Sequence, residues 1–168
     1  MGVRAIEGAT TSRYVIDPYF PAIAVIGEEQ DGNTFVGFYG GDDLVELGVD
    51  PYTRTVKQVT VLIGWHYSMS DEAMIVPPAK DAILQVNMPL CNECPALCAT
   101  VYRDGLSMRV SESLASSYVR CGDVLFGTTS SGELSEILFT AITREGTDYA
   151  RSVFMGEGFE EFWEPIGS

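Results

Sequence analysis

Asp43-Leu44-Val45-Glu46-Leu47-Gly48-Val49-Asp50-Pro51-Tyr52-Thr53-Arg54-Thr55-Val56-Lys57-Gln58-Val59-Thr60-Val61-Leu62-Ile63, entered through Gly40-Gly41-Asp42, is the stretch from which the fold is read. Val45, Leu47 and Val49 alternate with Glu46 and Gly48. Asp50-Pro51-Tyr52-Thr53 supplies turn chemistry, and Val59, Val61 and Ile63 alternate with Thr60 and Leu62 on the return. A period of two on both sides of a turn predicts a β-hairpin. The pattern recurs in Val124-Leu125-Phe126-Gly127-Thr128-Thr129-Ser130-Ser131-Gly132-Glu133-Leu134-Ser135-Glu136-Ile137-Leu138-Phe139. With one turn residue dropped, Gly48 matches Gly127, Val56 matches Leu134 and Val59 matches Ile137. The recurrence implies two similar halves, contributing to one sheet or to two packed sheets.

Outward from this hairpin, Tyr14-Val15-Ile16 and Ala22–Ile26 read as strands separated by Asp17-Pro18-Tyr19-Phe20-Pro21, whose prolines forbid continuous pairing. Thr34 to Tyr39 is a further strand, so residues 22 to 63 read as a four-stranded antiparallel meander. Residues 1 to 12, small and polar, read as a frayed end or a short lead-in. Residues 64 to 80 break the pattern, Ala82 to Met88 returns to it, and Asp104-Gly105 joins Ala99–Arg103 to Leu106–Val110 as a type I′ hairpin. The serine-rich Ser111–Tyr118 fits a short helix or a loop, and Thr147 is placed to cap a helix running to Met155. Phe159, Phe162 and Trp163 then share one helical face that seals the core. The expected class is α+β: mainly antiparallel sheet built from hairpins, with one or two short helices, in a single domain spanning 1–168.

The charge is lopsided. The 168 residues carry 24 acids against 10 bases, a net charge of -14. No Lys or Arg stands between Arg13 and Arg54, and only acids follow Arg151. Such a field repels nucleic acid and anionic lipid, and accelerates encounter with a basic protein. The start of the chain lacks the apolar run of a signal peptide, and no run of about 18 apolar residues occurs, so a cytoplasmic protein is expected.

Chemistry-bearing motifs are few. Cys91, Cys94 and Cys98 lie within eight residues and Cys121 follows, a set that could hold zinc if the fold gathered it. The ordinary alternative is a loop with unliganded thiols. His66 is the one histidine, with Trp65 and Tyr67 beside it and no nucleophile elbow to serve. Gly37-Phe38-Tyr39-Gly40-Gly41 runs into Asp42-Asp43, which would repel a phosphate. No catalytic signature accompanies either hairpin, and the expectation is a non-enzyme.

The hairpin Asp43–Ile63 with its Val-Asp-Pro-Tyr-Thr turn, and Arg120-Cys121-Gly122-Asp123-Val124-Leu125-Phe126-Gly127 leading into the second hairpin, give a small acidic strand-rich chain. In kind it resembles the immunity proteins that accompany bacterial polymorphic and contact-dependent toxins. The resemblance implies that the chain binds a cognate toxin domain, often a basic nuclease, and blocks its active site or substrate path. Two regions are candidates for that contact: Asp42, Asp43, Glu46, Asp50 and Tyr52 around the first hairpin, and Glu160, Glu161, Trp163 and Glu164 near the C-terminus. Acidic steering followed by aromatic anchoring is the mechanism expected of them. Two other readings stay open: a small zinc protein or hydrolase built on Cys91, Cys94, Cys98 and Cys121, and a structural subunit of a homo-oligomer.

Overall fold

The structure, a computed structural model, describes residues 1–15, 22–27, 32–40, 43–62, 67–87, 91–93, 97–144 and 146–148. The strands in the first part of the chain are β1 Gly2–Ile6, β2 Ser12–Val15, β3 Ala22–Ile26, β4 Thr34–Gly40, β5 Asp43–Val49, β6 Val56–Leu62 and β7 Tyr67–Met69. There follow β8 Lys80–Asp81, β9 Ile83–Asn87, β10 Cys91–Glu93, β11 Cys98–Val101, β12 Leu106–Arg109, β13 Ser117–Cys121, β14 Val124–Thr128 and β15 Leu134–Phe139. Pairing is mostly antiparallel, and the helical residues described are Arg144 and Gly146–Asp148. No helix among the described residues is long and apolar enough to cross a membrane.

One sheet has the order β10-β4-β5-β6-β3-β2, the other β7-β11-β12-β15-β14-β13-β8. Within them β2 to β6 and β11 to β15 trace the same path. In each, a hairpin (β2-β3, β11-β12) is followed by three strands in series (β4-β5-β6, β13-β14-β15), and the last strand returns beside the second. This is a Greek key, twice. The expected meander over 22 to 63 is therefore corrected: β3 pairs with β6, not β4. The connection from Ile26 to Thr34 is longer and more polar in sequence than a tight hairpin needs.

The two keys agree residue by residue. Val45 faces Val61 and Leu47 faces Val59 in the first hairpin, as Val124 faces Phe139 and Phe126 faces Ile137 in the second. The bulges also coincide, falling between Gly48 and Val49 and between Gly127 and Thr128. Flanking strands keep step: Val36 faces Leu47 as Val119 faces Phe126, and Ala24 faces Val59 as Met108 faces Ile137. The duplication seen in two hairpins thus extends over five strands. Side chains at these matched positions form one continuous buried core between the sheets, because alternate residues of every strand point inward.

A two-stranded ribbon closes the structure. β1 pairs antiparallel with β9, from Gly2 opposite Asn87 to Ile6 opposite Ile83. Within the stretch expected to fray or lead in, Gly2–Ile6 is thus a paired strand, held because Val3 is buried in the core with Leu84 and Val86. Each leading strand leans on the other unit's hairpin. The Val3 amide donates to the Gly132 carbonyl at 2.8 Å, while the Val86 amide donates to the Arg54 carbonyl at 3.0 Å.

Three local expectations shift. The strands flanking Asp104-Gly105 form as expected, yet neither residue has the positive φ of a type I′ turn, and the Tyr102 amide donates to the Gly105 carbonyl instead. Gly105 is there for room: a Cβ on it would lie 2.5 Å from Met74 Cε and 2.8 Å from the Phe139 carbonyl oxygen. Residues 111–116 form a loop, and Ser117 opens β13. Thr143, not Thr147, caps the short helix, its Oγ1 accepting from the Gly146 amide at 3.2 Å. Thr147 is buried one turn in, its hydroxyl 2.9 Å from the Arg103 carbonyl. The expected continuation to Met155 and the aromatic face Phe159, Phe162 and Trp163 lie outside the described residues, as does His66.

Candidate partner-binding face

Inner residues of β4 and β5 are Val36, Phe38, Val45 and Leu47, all buried, so Phe35, Gly37, Tyr39, Leu44, Glu46 and Gly48 face outward. The register sets Gly37 opposite Glu46 and Glu46 opposite Thr60, with Phe35 opposite Gly48 one row away and Tyr39 opposite Leu44 on the other side. Glu46 is therefore a diagonal neighbour of both rings, within reach of one side chain bridging them. Phe35 is 49% exposed and Tyr39 42%. A Cβ on Gly37 would lie 2.7 Å from the Tyr39 ring, and one on Gly48 3.3 Å from the Phe35 ring, so the two aromatics lean over glycines. Half-buried Glu46 has no hydrogen-bond or ion-pair partner among the described residues.

The second sheet supplies the comparison. Phe35 corresponds to Tyr118, Gly48 to Gly127, Gln58 to Glu136, Glu46 to Leu125 and Thr60 to Leu138. Tyr118 again covers its glycine, 3.0 Å from where a Gly127 Cβ would be, and its hydroxyl donates to Glu136. Burial and the Glu136 carboxylate together push the Tyr118 phenol above its ordinary range. Here the outer face is covered by the chain itself. Met74 packs on Leu125 and Leu138, with Ala79, Tyr102 and Tyr118 around them. The covering segment is pinned where the Arg103 amide donates to the Glu72 carbonyl at 3.0 Å and the Met74 amide donates to Asp104 Oδ1 at 2.7 Å.

Of the hairpin residues read from sequence, Asp43 opens β5 opposite Gly40, and Glu46 holds the centre of the exposed face. Tyr52 stands at the hairpin tip, 90% exposed. Asp50 is buried at 5% exposure, and its Oδ1 accepts from the Tyr52 and Thr53 amides at 2.8 Å each. It shapes the loop that displays Tyr52, as an Asx turn does. Replacing Asp50 by alanine is expected to lower stability by about 1 to 2 kcal/mol through those lost charge-assisted bonds, measured by urea denaturation. Asp42, Glu160, Glu161, Trp163 and Glu164 lie outside the described residues. Sequence reasoning passed over Phe35 and Tyr39, although the spacing Phe35-x-Gly37-x-Tyr39 put two rings and a glycine on one face of a strand.

The two described thiols, Cys98 and Cys121, do not converge. Cys98 lies on β11 and Cys121 on β13 of the same sheet, with β12, β15 and β14 between them. Four strand spacings amount to roughly 19 Å, far beyond a shared metal ion. Cys91 lies on β10 of the other sheet, opposite Gly37, and Cys94 is outside the described residues. No group of three metal-ligating side chains occurs among the described residues. The Cys121 thiol is buried 3.1 Å from the Ala82 carbonyl, and burial pushes its pKa from 9.0 up to about 11. A raised folded pKa favours the neutral thiol. That contribution to stability is complete below pH 9 and is lost as pH rises through about 11. Iodoacetamide at pH 8.5 is expected to leave Cys121 unmodified in the native protein and to modify it in urea, read by peptide mass mapping.

No protein-family model matches the chain, and no curated protein sequence matches it.

Proposed function

We propose that the chain is a binding protein that neutralises a basic protein partner, in the manner of a bacterial toxin immunity protein acting in the cytoplasm. One observation carries the reading: Glu46, half-buried and without a cation among the described residues, sits between two exposed rings on the face of an acidic molecule. A half-buried carboxylate flanked by two rings is a place where a partner's lysine or arginine can pair and pack at once. The net charge of -14 steers such a partner from a distance and weakens with salt. Inhibition then follows from occlusion, since a face of this kind needs no chemistry of its own to block another protein's active site.

The test uses the purified chain as bait in a lysate of its source cell at low and then high salt. Recovery of one basic protein, released by salt and inactivated by an equimolar amount of the chain, is the expected result. Recovery of the chain alone overturns the proposal.

A further inference from the structure

The internal duplication offers a template for how the exposed face is used. On the second sheet an irregular segment, residues 71–79 with Pro77-Pro78 in it, lies across the outer face and sets Met74 on the cross-strand pair Leu125 and Leu138. On the first sheet the matching cross-strand pair is Glu46 and Thr60, and the ring matching Tyr118 is the half-exposed Phe35. Leucines stand where the chain covers its own sheet, and a half-buried acid beside a buried hydroxyl stands between rings that stay half-exposed. We infer that the outer face of the first sheet receives an extended segment of the basic partner, laid down as residues 71–79 are laid on the second sheet. A lysine or arginine of that segment takes the place of Met74 and meets Glu46 between Phe35 and Tyr39. This rests on the binding-protein reading and adds the site and the shape of what it binds.

The chemistry fits one side chain well. Its stem packs on the rings, its cation lies within reach of both ring faces, and the Glu46 carboxylate accepts its protons, while the Thr60 hydroxyl beside it is buried and accepts from Gln58 Nε2 at 2.9 Å. The contact is made through side chains on the face, because β10 already pairs along the free edge of β4. A second copy of this chain brings another net charge of -14 and is disfavoured by that repulsion.

The probe is a synthetic peptide with the sequence of residues 70–81 carrying Asp71→Asn and Glu72→Gln, made with Met74 retained or with Met74→Lys. Each is titrated into the full isotope-labelled chain and followed by amide chemical shifts. The lysine peptide is expected to move the signals of residues 35–39 and 46, and to bind at least fivefold more tightly than the methionine peptide. In a Glu46→Leu chain the preference should reverse, which a nonspecific charge effect would not produce. Equal binding of both peptides, shifts confined to other residues, or no shift at millimolar peptide overturns the inference. A dimer in sedimentation that Phe35→Ser dissolves also overturns it, in favour of a second copy. Phe35 is half-exposed, so this variant is expected to fold, and its thermal melt verifies that. The binding-protein reading is judged separately: if a Phe35→Ser, Glu46→Leu bait captures the basic partner as well as the native bait does, that reading stands and this face is rejected.

Discussion

Alanine in place of Phe139 is expected to lower the unfolding free energy by about 3 to 5 kcal/mol, the usual cost of emptying a large aromatic site in a close-packed core. Phe139 has no exposed surface and lies opposite Val124 on one side and Leu106 on the other. Its ring centroid is 6.1 Å from that of Tyr14, which belongs to the other sheet. The Tyr14 hydroxyl in turn lies 2.6 Å from both the Asp123 and Thr140 carbonyl oxygens and donates between them. Burial first, and then the Asp123 charge, hold that phenol protonated well above its ordinary range. The cavity would therefore open at the seam between the units and loosen a polar tie as well as apolar packing. Because domains are stable by only about 5 to 15 kcal/mol, the variant should be partly unfolded at 37 °C. Urea denaturation with an unchanged slope is the check, and a loss below about 1 kcal/mol would show that the seam repacks. Val61, the matching residue of the first hairpin, has less volume to lose and should cost less on truncation to alanine.

Glu46→Lys is expected to lower affinity for the basic partner by about one to two orders of magnitude at low salt, since it replaces the central attraction of the face with a repulsion. The position is on the outer face, so folding should be unaffected, and a thermal melt serves as the control. The diagnostic is the salt dependence. In the native chain, association slows as salt screens the acidic field; in the variant that slope should flatten while the residual binding through Phe35, Tyr39 and Tyr52 persists. Surface plasmon resonance at two ionic strengths measures both quantities. Unaltered rates would move the contact away from this sheet.

The hairpins were legible because their information is local. Alternation over Val45–Val49 and Val59–Val61, and again over Val124–Phe126 and Ile137–Phe139, specifies strand, face and register together. Gly48 and Gly127, matched in the sequence, each adjoin a bulge in the structure. Which strands become neighbours was not legible. Whether β3 lies beside β4 or β6 depends on how an arch spans the sheet, and Glu28–Asn33 fits a turn as well as a crossing in composition. β1 was missed for a related reason, since a short segment such as Gly2–Ile6 becomes a strand only when β9, far along the chain, supplies its partner. The site divided in the same way. Glu46 and Tyr52 were candidates from charge and turn position, whereas Phe35 and Tyr39 became candidates only beside the covered face of the other unit. Asp50 read as both a turn residue and a contact charge, and its carboxylate is folded into its own turn, while Cys98 and Cys121 lie four strand spacings apart on one sheet.

The exchange of leading strands makes the order of synthesis matter. Arg4 and Gln85, hydrogen-bonded across the ribbon, are 81 residues apart in the chain. At about 5 to 20 residues per second on a ribosome, β1 waits roughly 4 to 16 seconds for β9 to be made. During that interval the first Greek key can form its hairpins, but the strand leading it has no partner and the inner face of its sheet has nothing to pack against. The half-made protein therefore presents sticky apolar surface to its surroundings for seconds. Rare codons between residues 63 and 82 would lengthen that exposure, whereas rapid translation of the same stretch would favour soluble yield.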